Sequence, residues 1–334
     1  MTDLDKTITE IFPQKTVVII GDLVADQFLQ GTISRVSREA PVFILRHEQT
    51  MTVPGAAANA AVNVASLGGR TILIGVAGSD INGDKLLEAL SAANVDCSAV
   101  VRDPAFSTTT KVRVLAGQHY AARQQVIRID YENSNPIDFS VREGLRANLS
   151  TAAASADAII VSDYNYGVVF AALYQDALTI SREKGIPLIV DSRYGLANLA
   201  GATTATPNRE EAEQILGKNF TSDDCSRMRE KLDYQALLIT NGNQGMGLFE
   251  KGHTPLELPA VGPSEPVDVT GAGDTVIAAY SLGLASGLSF ADAALIANHA
   301  GGIVVMKKGT ASVSTDELIA SLRTAAPLSS SHDA

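Results

Sequence analysis

The sequence predicts an α/β protein: a doubly wound, mostly parallel sheet with helices on both faces, carrying a small β-sheet lid. Three observations predict it. Short apolar, β-branched runs such as Thr16 to Ile20 lack surface alternation and read as buried parallel strands. Helical runs alternate with such strands through the second half, the rhythm of repeated βα units. Two segments, about 28–50 and 107–130, break that rhythm with short alternating strands and read as a sheet apart from the main core.

In chain order, residues 1–14 read as a short polar lead ending at Pro13, and 15–326 as one domain that includes the lid. The first strand closes at Gly21, and Asp22 and Asp26 follow its carboxyl end, where open α/β sheets place their ligands. They serve there either as partners for hydroxyl groups or as caps of a turn. From Val53 to Gly69, Pro and Gly open an alanine-rich helix and a Gly pair stops it. Asn59 and Asn63, four apart, share one face of it. Asn59 is a candidate substrate contact, since an amide both donates to and accepts from sugar hydroxyls, or else the pair ties neighbouring loops together.

Further on, a strand is expected at Thr71 to Ala77 and a helix at Gly83 to Ala93. Ala158 to Val161, Pro187 to Val190, Ala202 to Thr206 and Ala236 to Thr240 then read as strands. Helices are expected at Arg142 to Ser150, Phe170 to Lys184 and Arg209 to Leu216. Residues 327–334 read as a frayed tail. A lid with one apolar face outside the core needs a cover; a second copy of the lid would supply it, making a homodimer, or else the lid faces only the substrate.

The totals bound the function. Of 334 residues 46% are hydrophobic and 19% charged, and the net charge of −11 argues against nucleic-acid or anionic-membrane partners. Two cysteines, Cys97 and Cys225, have no metal-type spacing, so disulfides and zinc are not expected. The first ten residues contain no apolar signal core and no tract suits a membrane span, so a soluble cytoplasmic protein is expected.

The chemistry converges on Val267 to Asp274. Gly271 and Gly273 let the backbone bend and approach a ligand, and the small-residue run from Thr275 to Leu284 reads as the helix behind them. Free amides and the helix dipole suit a phosphoryl group there. A carboxylate at such a site repels phosphate but suits a base that takes a proton from an attacking hydroxyl, so Asp274 is the candidate catalytic residue; the alternative is a plain helix cap. On the same sheet edge, Thr240 and Gly242 can cradle phosphate oxygens. Asn208 and Glu211, one helical turn apart, suit a magnesium ion held partly through water. No Walker A sequence is present, and Gly242 to Gly247 lacks the helix a dinucleotide fingerprint requires.

Asp268-Val269-Thr270-Gly271-Ala272-Gly273-Asp274, Asn208-Arg209-Glu210-Glu211 and Gly55 to Asn59, in that spacing and order, resemble the motifs of the ribokinase (PfkB) family of carbohydrate kinases. The resemblance runs from about Thr16 to Leu322. Within the family, Asp26 to Gly31, Ser34 to Val42 and Val161 to Tyr164 are similar to the heptose 7-phosphate kinase branch, the kinase half of a bifunctional synthase. The resemblance implies an ATP-dependent phosphotransferase acting on a sugar hydroxyl. It makes Asp274 the base, with the Ala272 and Gly273 amides as anion hole beside Gly271, and Asp26, Gly55 and Asn59 as sugar contacts. It brings Thr240 and Gly242 to the nucleotide phosphates and Asn298 and His299 near the adenine. It implies a monovalent cation, K+, at Asp268, Thr270 and Gly309, and a β-lid that often dimerises.

The chain departs from the heptose kinase pattern in three places. It has Gly55-Ala56 for Gly-Gly, Tyr166 for a lysine, and Asp191-Ser192-Arg193 for Asp-Pro-Lys. The Ala56 methyl narrows the sugar approach, and the tyrosine removes a charge that could meet a phosphate. Basic residues on the expected lid, Arg35, Arg38, Lys111, Arg113 and Arg128, either meet a substrate phosphate or lie on solvated strand faces. No nucleotidyltransferase segment follows Leu322, so a stand-alone kinase is expected. The alternatives are a kinase for another sugar or a nucleoside, and a catalytically silent sugar or nucleotide sensor on the same scaffold.

Overall fold

The structure, a computed structural model, describes residues 3–117, 123–133 and 136–324. Its main sheet has nine strands: β1 (Thr16–Gly21), β4 (Arg70–Gly78), β5 (Val100–Asp103), β8 (Ala158–Asp163), β9 (Leu188–Ser192), β10 (Thr204–Ala205), β11 (Ala236–Thr240), β12 (Met246–Glu250) and β13 (Leu256–Leu258). They lie in the order β13-β12-β11-β10-β9-β8-β1-β4-β5, parallel from β5 to β11, with β12 and β13 antiparallel at the edge. The chain thus winds both ways from β1, and the crossovers put helices on both faces.

Each strand feeds two cores by simple alternation. Val17 and Ile19 of β1 face the layer formed by α2 (Ala57–Ser66), α3 (Ile81–Ala92), α8 (Ala272–Ala285), α9 (Phe290–Val304) and α10 (Thr315–Thr324). Val18 and Ile20 face the layer formed by α4 (Phe139–Ala152), α5 (Ala171–Lys184), α6 (Arg209–Leu216) and α7 (Ser222–Lys231). The expected strand at Ala202 to Thr206 shrinks to two residues, because only Thr204 and Ala205 pair with both neighbours.

The N-terminal lead is not merely polar. Helix α1 (Asp3–Lys6) runs on through tighter and wider turns to Gln14, and Ile8 and Phe12 sit fully buried in the first core. Buried Asp5 meets Arg323 of α10 at 3.1 Å, which ties the N-terminal lead to the last described helix. The expected tail, 327–334, lies outside the described residues, as does the 326 boundary.

The second sheet has four strands: β2 (Leu23–Val36), β3 (Phe43–Ala56), β6 (Thr110–Gly117) and β7 (Gln124–Tyr131), ordered β3-β2-β6-β7. The sequence placed its first segment at 28–50, but β2 starts directly after β1 and β3 runs straight into α2. Leu23 to Val24 and Gly55 to Ala56 are apolar or small enough to be buried at the root of the sheet, so strand pairing extends into the domain body. The pairing is mixed, since β2 and β6 run parallel. No helix is long and apolar enough to cross a membrane among the described residues.

Candidate active site

Helix α8 begins at the glycine-rich turn, with Gly271 as its N-cap in the left-handed region at φ 79°. A β-carbon on Gly271 would lie 2.5 Å from Asn59 Nδ2, so glycine is required there for conformation and for space. Asp274 falls in the first turn, 4% exposed. Asn59 Nδ2 donates to its Oδ2 at 2.7 Å and Tyr164 Oη donates to its Oδ1 at 2.9 Å. Burial lifts its carboxyl to about 6, with the two hydrogen bonds and Arg193 opposing and Asp26 adding to the rise.

A polar cavity of about 60 Å³ opens beside it, lined by Asp26, Ala56, Lys111, Arg113, Arg193 and Asp274 among others. Asp26 pairs with Arg113 at 2.5 Å. Lys111 is 8% exposed and faces the rings of Tyr164 and Tyr166 at 5.9 and 5.4 Å, and the Arg193 guanidinium lies 4.8 Å from the Tyr164 centroid. Burial, then Arg193, pushes the Lys111 ammonium below its usual range. Three cations, Lys111, Arg113 and Arg193, thus line the same cavity as the Asp274 carboxylate. Tyr166, which stands where a lysine was expected, is the surface over which Lys111 brings an ammonium instead. A wider cleft of about 930 Å³ continues from Arg113 outward between the second sheet and the Asp268 to Thr310 region.

On the other side of the α8 N-terminus lies a mostly apolar cavity of about 170 Å³. Thr240, Gly242, Ala272, Gly273 and Asn298 all line it, so the expected nucleotide residues meet the expected anion turn. His299 does not line it. The side chain of His299 turns to the other side of α9, where Nδ1 lies 2.8 Å from Ser321 Oγ of α10; helix periodicity parts it from Asn298.

The structure gives the other expected sugar contacts their surroundings, and takes Asp22 out of reach. Asp22 is 1% exposed and accepts the amides of Tyr164, Tyr166 and Val168 at 2.8 to 3.1 Å, so it shapes that loop and is not available to a sugar. Burial raises its carboxyl to about 6, against the pull of those amides. Asn59 is 2% exposed and spends its NH2 on Asp274. Gly55 is glycine because a β-carbon would lie 2.5 Å from Asp26 Oδ2, so it admits the carboxylate at its side.

Asn208 and Glu211 form a reciprocal capping box at the start of α6, the Glu211 amide reaching Asn208 Oδ1 at 2.9 Å and the Asn208 amide reaching Glu211 Oε2 at 2.8 Å. Beyond the capping box, burial and the Glu211 charge hold the Asp191 carboxyl well up, and burial raises Glu211 too; no cluster of three or more acidic, His or Cys side chains able to hold a metal occurs among the described residues. Carboxylates that resist ionising together are relieved by a metal. Asp268 gathers Thr270 and Gly309 by accepting their amides at 3.0 and 2.9 Å, and the Thr310 hydroxyl next to them is buried without a hydrogen-bond partner among the described residues. Those oxygens fit a monovalent cation.

Sequence reasoning did not give Tyr164 and Arg193 their places beside Asp274. Both follow the carboxyl ends of strands, β8 and β9, and that position was the signal that could have found them.

With this geometry in view, the relatives are informative. The pfkB family carbohydrate kinase signature matches residues 14–317. The bifunctional protein HldE of Caulobacter vibrioides is 40% identical over 96% of this chain, and that of Gluconobacter oxydans 39% over 90%. The chain spans 66% and 63% of the length of these two relatives. Arabidopsis thaliana ribokinase complexed with ribose and ATP superposes with a TM-score of 0.70 at 19% identity, covering 93% of this chain and 99% of that one. Escherichia coli phosphofructokinase-2 in complex with substrates and products gives 0.74 at 18%, covering 92% and 98%. These neighbours share the ribokinase-like fold. By signature, sequence and fold, the chain belongs to the pfkB family of carbohydrate kinases, phosphotransferases with an alcohol group as acceptor.

Proposed function

We propose that this protein transfers the γ-phosphate of ATP to a hydroxyl of a phosphorylated sugar, with D-glycero-β-D-manno-heptose 7-phosphate, converted to the 1,7-bisphosphate, as the leading substrate. One observation carries the proposal: the buried carboxylate of Asp274 lies between a helix N-terminus and a cavity lined by Lys111, Arg113 and Arg193. A buried ammonium with no salt bridge among the described residues, close to a guanidinium, suits an anionic group on the ligand. The relatives named HldE support the heptose reading.

In this mechanism Asp274 takes the proton of the sugar hydroxyl as its oxygen attacks the γ-phosphorus, and the bond to the β-γ bridging oxygen breaks to release ADP. The amides of Ala272 and Gly273 meet the negative charge of the transferring group, which is the main source of acceleration in such reactions. The 170 Å³ cavity takes the adenosine, with Thr240 and Gly242 toward its phosphates. Asn208 and Glu211, with Asp191 nearby, would hold magnesium and Asp268, Thr270 and Gly309 a potassium ion. Held by those residues, magnesium would supply neutralisation of phosphate charge and potassium would supply support for the anion turn. The apolar outer face of the second sheet supports a homodimer.

The test is turnover of a panel of free and phosphorylated sugars with ATP, magnesium and potassium. Heptose 7-phosphate is expected to be the preferred substrate, and Asp274→Asn to lose about 10²- to 10⁴-fold in kcat with sugar binding kept. A base must be unprotonated, so kcat/KM should fall as pH drops through about 6, where burial places this carboxyl. Preference for free sugars would sink the heptose assignment, and binding without turnover across the panel would identify a sensor instead.

A further inference from the structure

Both oxygens of the Asp274 carboxylate are held from outside the anion turn. Thr275 Oγ1 donates to Asn63 Oδ1 at 3.0 Å, and Asn63 Nδ2 donates to the main-chain oxygen of Asn59 at 3.0 Å and to Asn59 Oδ1 at 3.2 Å. Asn59 Nδ2 then donates to Asp274 Oδ2. The order admits one arrangement. A main-chain carbonyl only accepts, so Asn63 must turn its NH2 to Asn59 and its oxygen to Thr275; the Asn59 oxygen then accepts, and its NH2 is left for Asp274. All four residues are buried, so water does not compete.

The other oxygen belongs to Tyr164, whose hydroxyl donates at 2.9 Å while the ring is held under the Arg193 guanidinium. The groups that act on Asp274 by charge pull unevenly. Asp26 lies on the sheet of β2 and Asp191 at the end of β9, both repelling it, and Arg193 just beyond β9 attracts it. In that uneven field, hydrogen bonds are what fix the orientation of the carboxylate.

We propose that Asn63, Asn59 and Tyr164 form a clamp that holds the Asp274 carboxylate in one orientation, leaving its unused lone pairs toward the sugar hydroxyl, and that Tyr164 and Asn63 are positioning residues for the transfer. The clamp rests on Asp274 being the base. Its value is geometric, because a misplacement of about 1 Å at a reacting group can cost on the order of 10²-fold in rate.

The experiment uses the full chain with Tyr164→Phe and, separately, Asn63→Ala, each checked by thermal melting. Tyr164→Phe removes a hydrogen bond to the charged carboxylate, and Asn63→Ala frees the Asn59 amide that makes the other one; a kcat about tenfold lower is expected in each, with KM for the sugar within about threefold. The acid limb of kcat/KM should move to higher pH, since the Tyr164 bond and the Asn59 bond that Asn63 orients both favour the charged form of Asp274. Carbon-13 titration of the Asp274 carboxyl without sugar, its signal assigned by its loss in Asp274→Asn, should show the midpoint rising in both variants. An unmoved midpoint with full kcat in Tyr164→Phe overturns the clamp, as does a change confined to KM. Should the parent protein turn over no sugar, the base assignment fails by itself, while the carboxyl titration still decides whether the clamp exists.

Discussion

At the scale of single residues, the most unusual is Ala56. It lies at φ 57°, ψ −134°, a region that side chains with a β-carbon rarely occupy, and it lines the cavity beside Asp274. Such strain is held by the surroundings and costs about 1–3 kcal/mol. The surroundings here are the β3 ladder on one side, where Ala56 pairs with Leu23, and the start of α2 on the other. Ala56→Gly should therefore stabilise the protein by on the order of 1 kcal/mol, since relief of strain outweighs the added freedom of the unfolded glycine. A urea melt decides it; a lower midpoint with unchanged slope would contradict the strain. The sequence showed the alanine as a departure from Gly-Gly but not its backbone angles, which depend on how strand and helix meet.

At the scale of elements, α2 and the N-terminal lead show opposite sides of what a pattern reveals. The alanine run of α2 was legible as a helix, and Asn59 and Asn63 as one of its faces. That this face meets α8, turning both amides toward Asp274 and Thr275, follows only from the packing of two helices far apart in the chain. Small side chains allow the close approach, because Ala57, Ala58, Ala60 and Ala61 are all fully buried. In the lead, charged residues at 3, 5, 6 and 10 hid Ile8 and Phe12, four apart on one helical face. Phe12→Ala should cost about 3–5 kcal/mol, the range for emptying a buried aromatic site, read as a fall in melting temperature. A change under about 1 kcal/mol would show that the lead is dispensable packing.

At the scale of the whole molecule, the second sheet has an apolar face that no other described residues cover. Val36, Phe43, Ile127 and Tyr131 are each more than half exposed. An apolar sheet face of this kind is a site of association, and a second copy covering it gives the proposed dimer. Light scattering should find twice the chain mass, and Phe43→Asp with Ile127→Asp should give the monomer. A native mass of one chain would remove the dimer. The sheet also contributes Asp26, Lys111 and Arg113 to the cavity, so any partner that steadies it steadies the substrate side of the site.

The sequence by itself determined the βα rhythm, the glycine turn with its carboxylate, and the family motifs, because these depend on local periodicity and on residues adjacent in the chain. It also carried the sheet-edge rule, which brought Thr240 and Gly242 to the same end of the sheet as the turn at Gly271 to Gly273. What only the tertiary structure decided is which polar groups are already satisfied. Asp22 spends its oxygens on three amides, Asn59 serves Asp274, and His299 turns toward α10, each through partners that packing alone brings near. Hydrogen bonds and charges act over a few ångströms in space, whatever their separation along the chain, so the division of labour among these residues was set when the helices and sheets closed on one another.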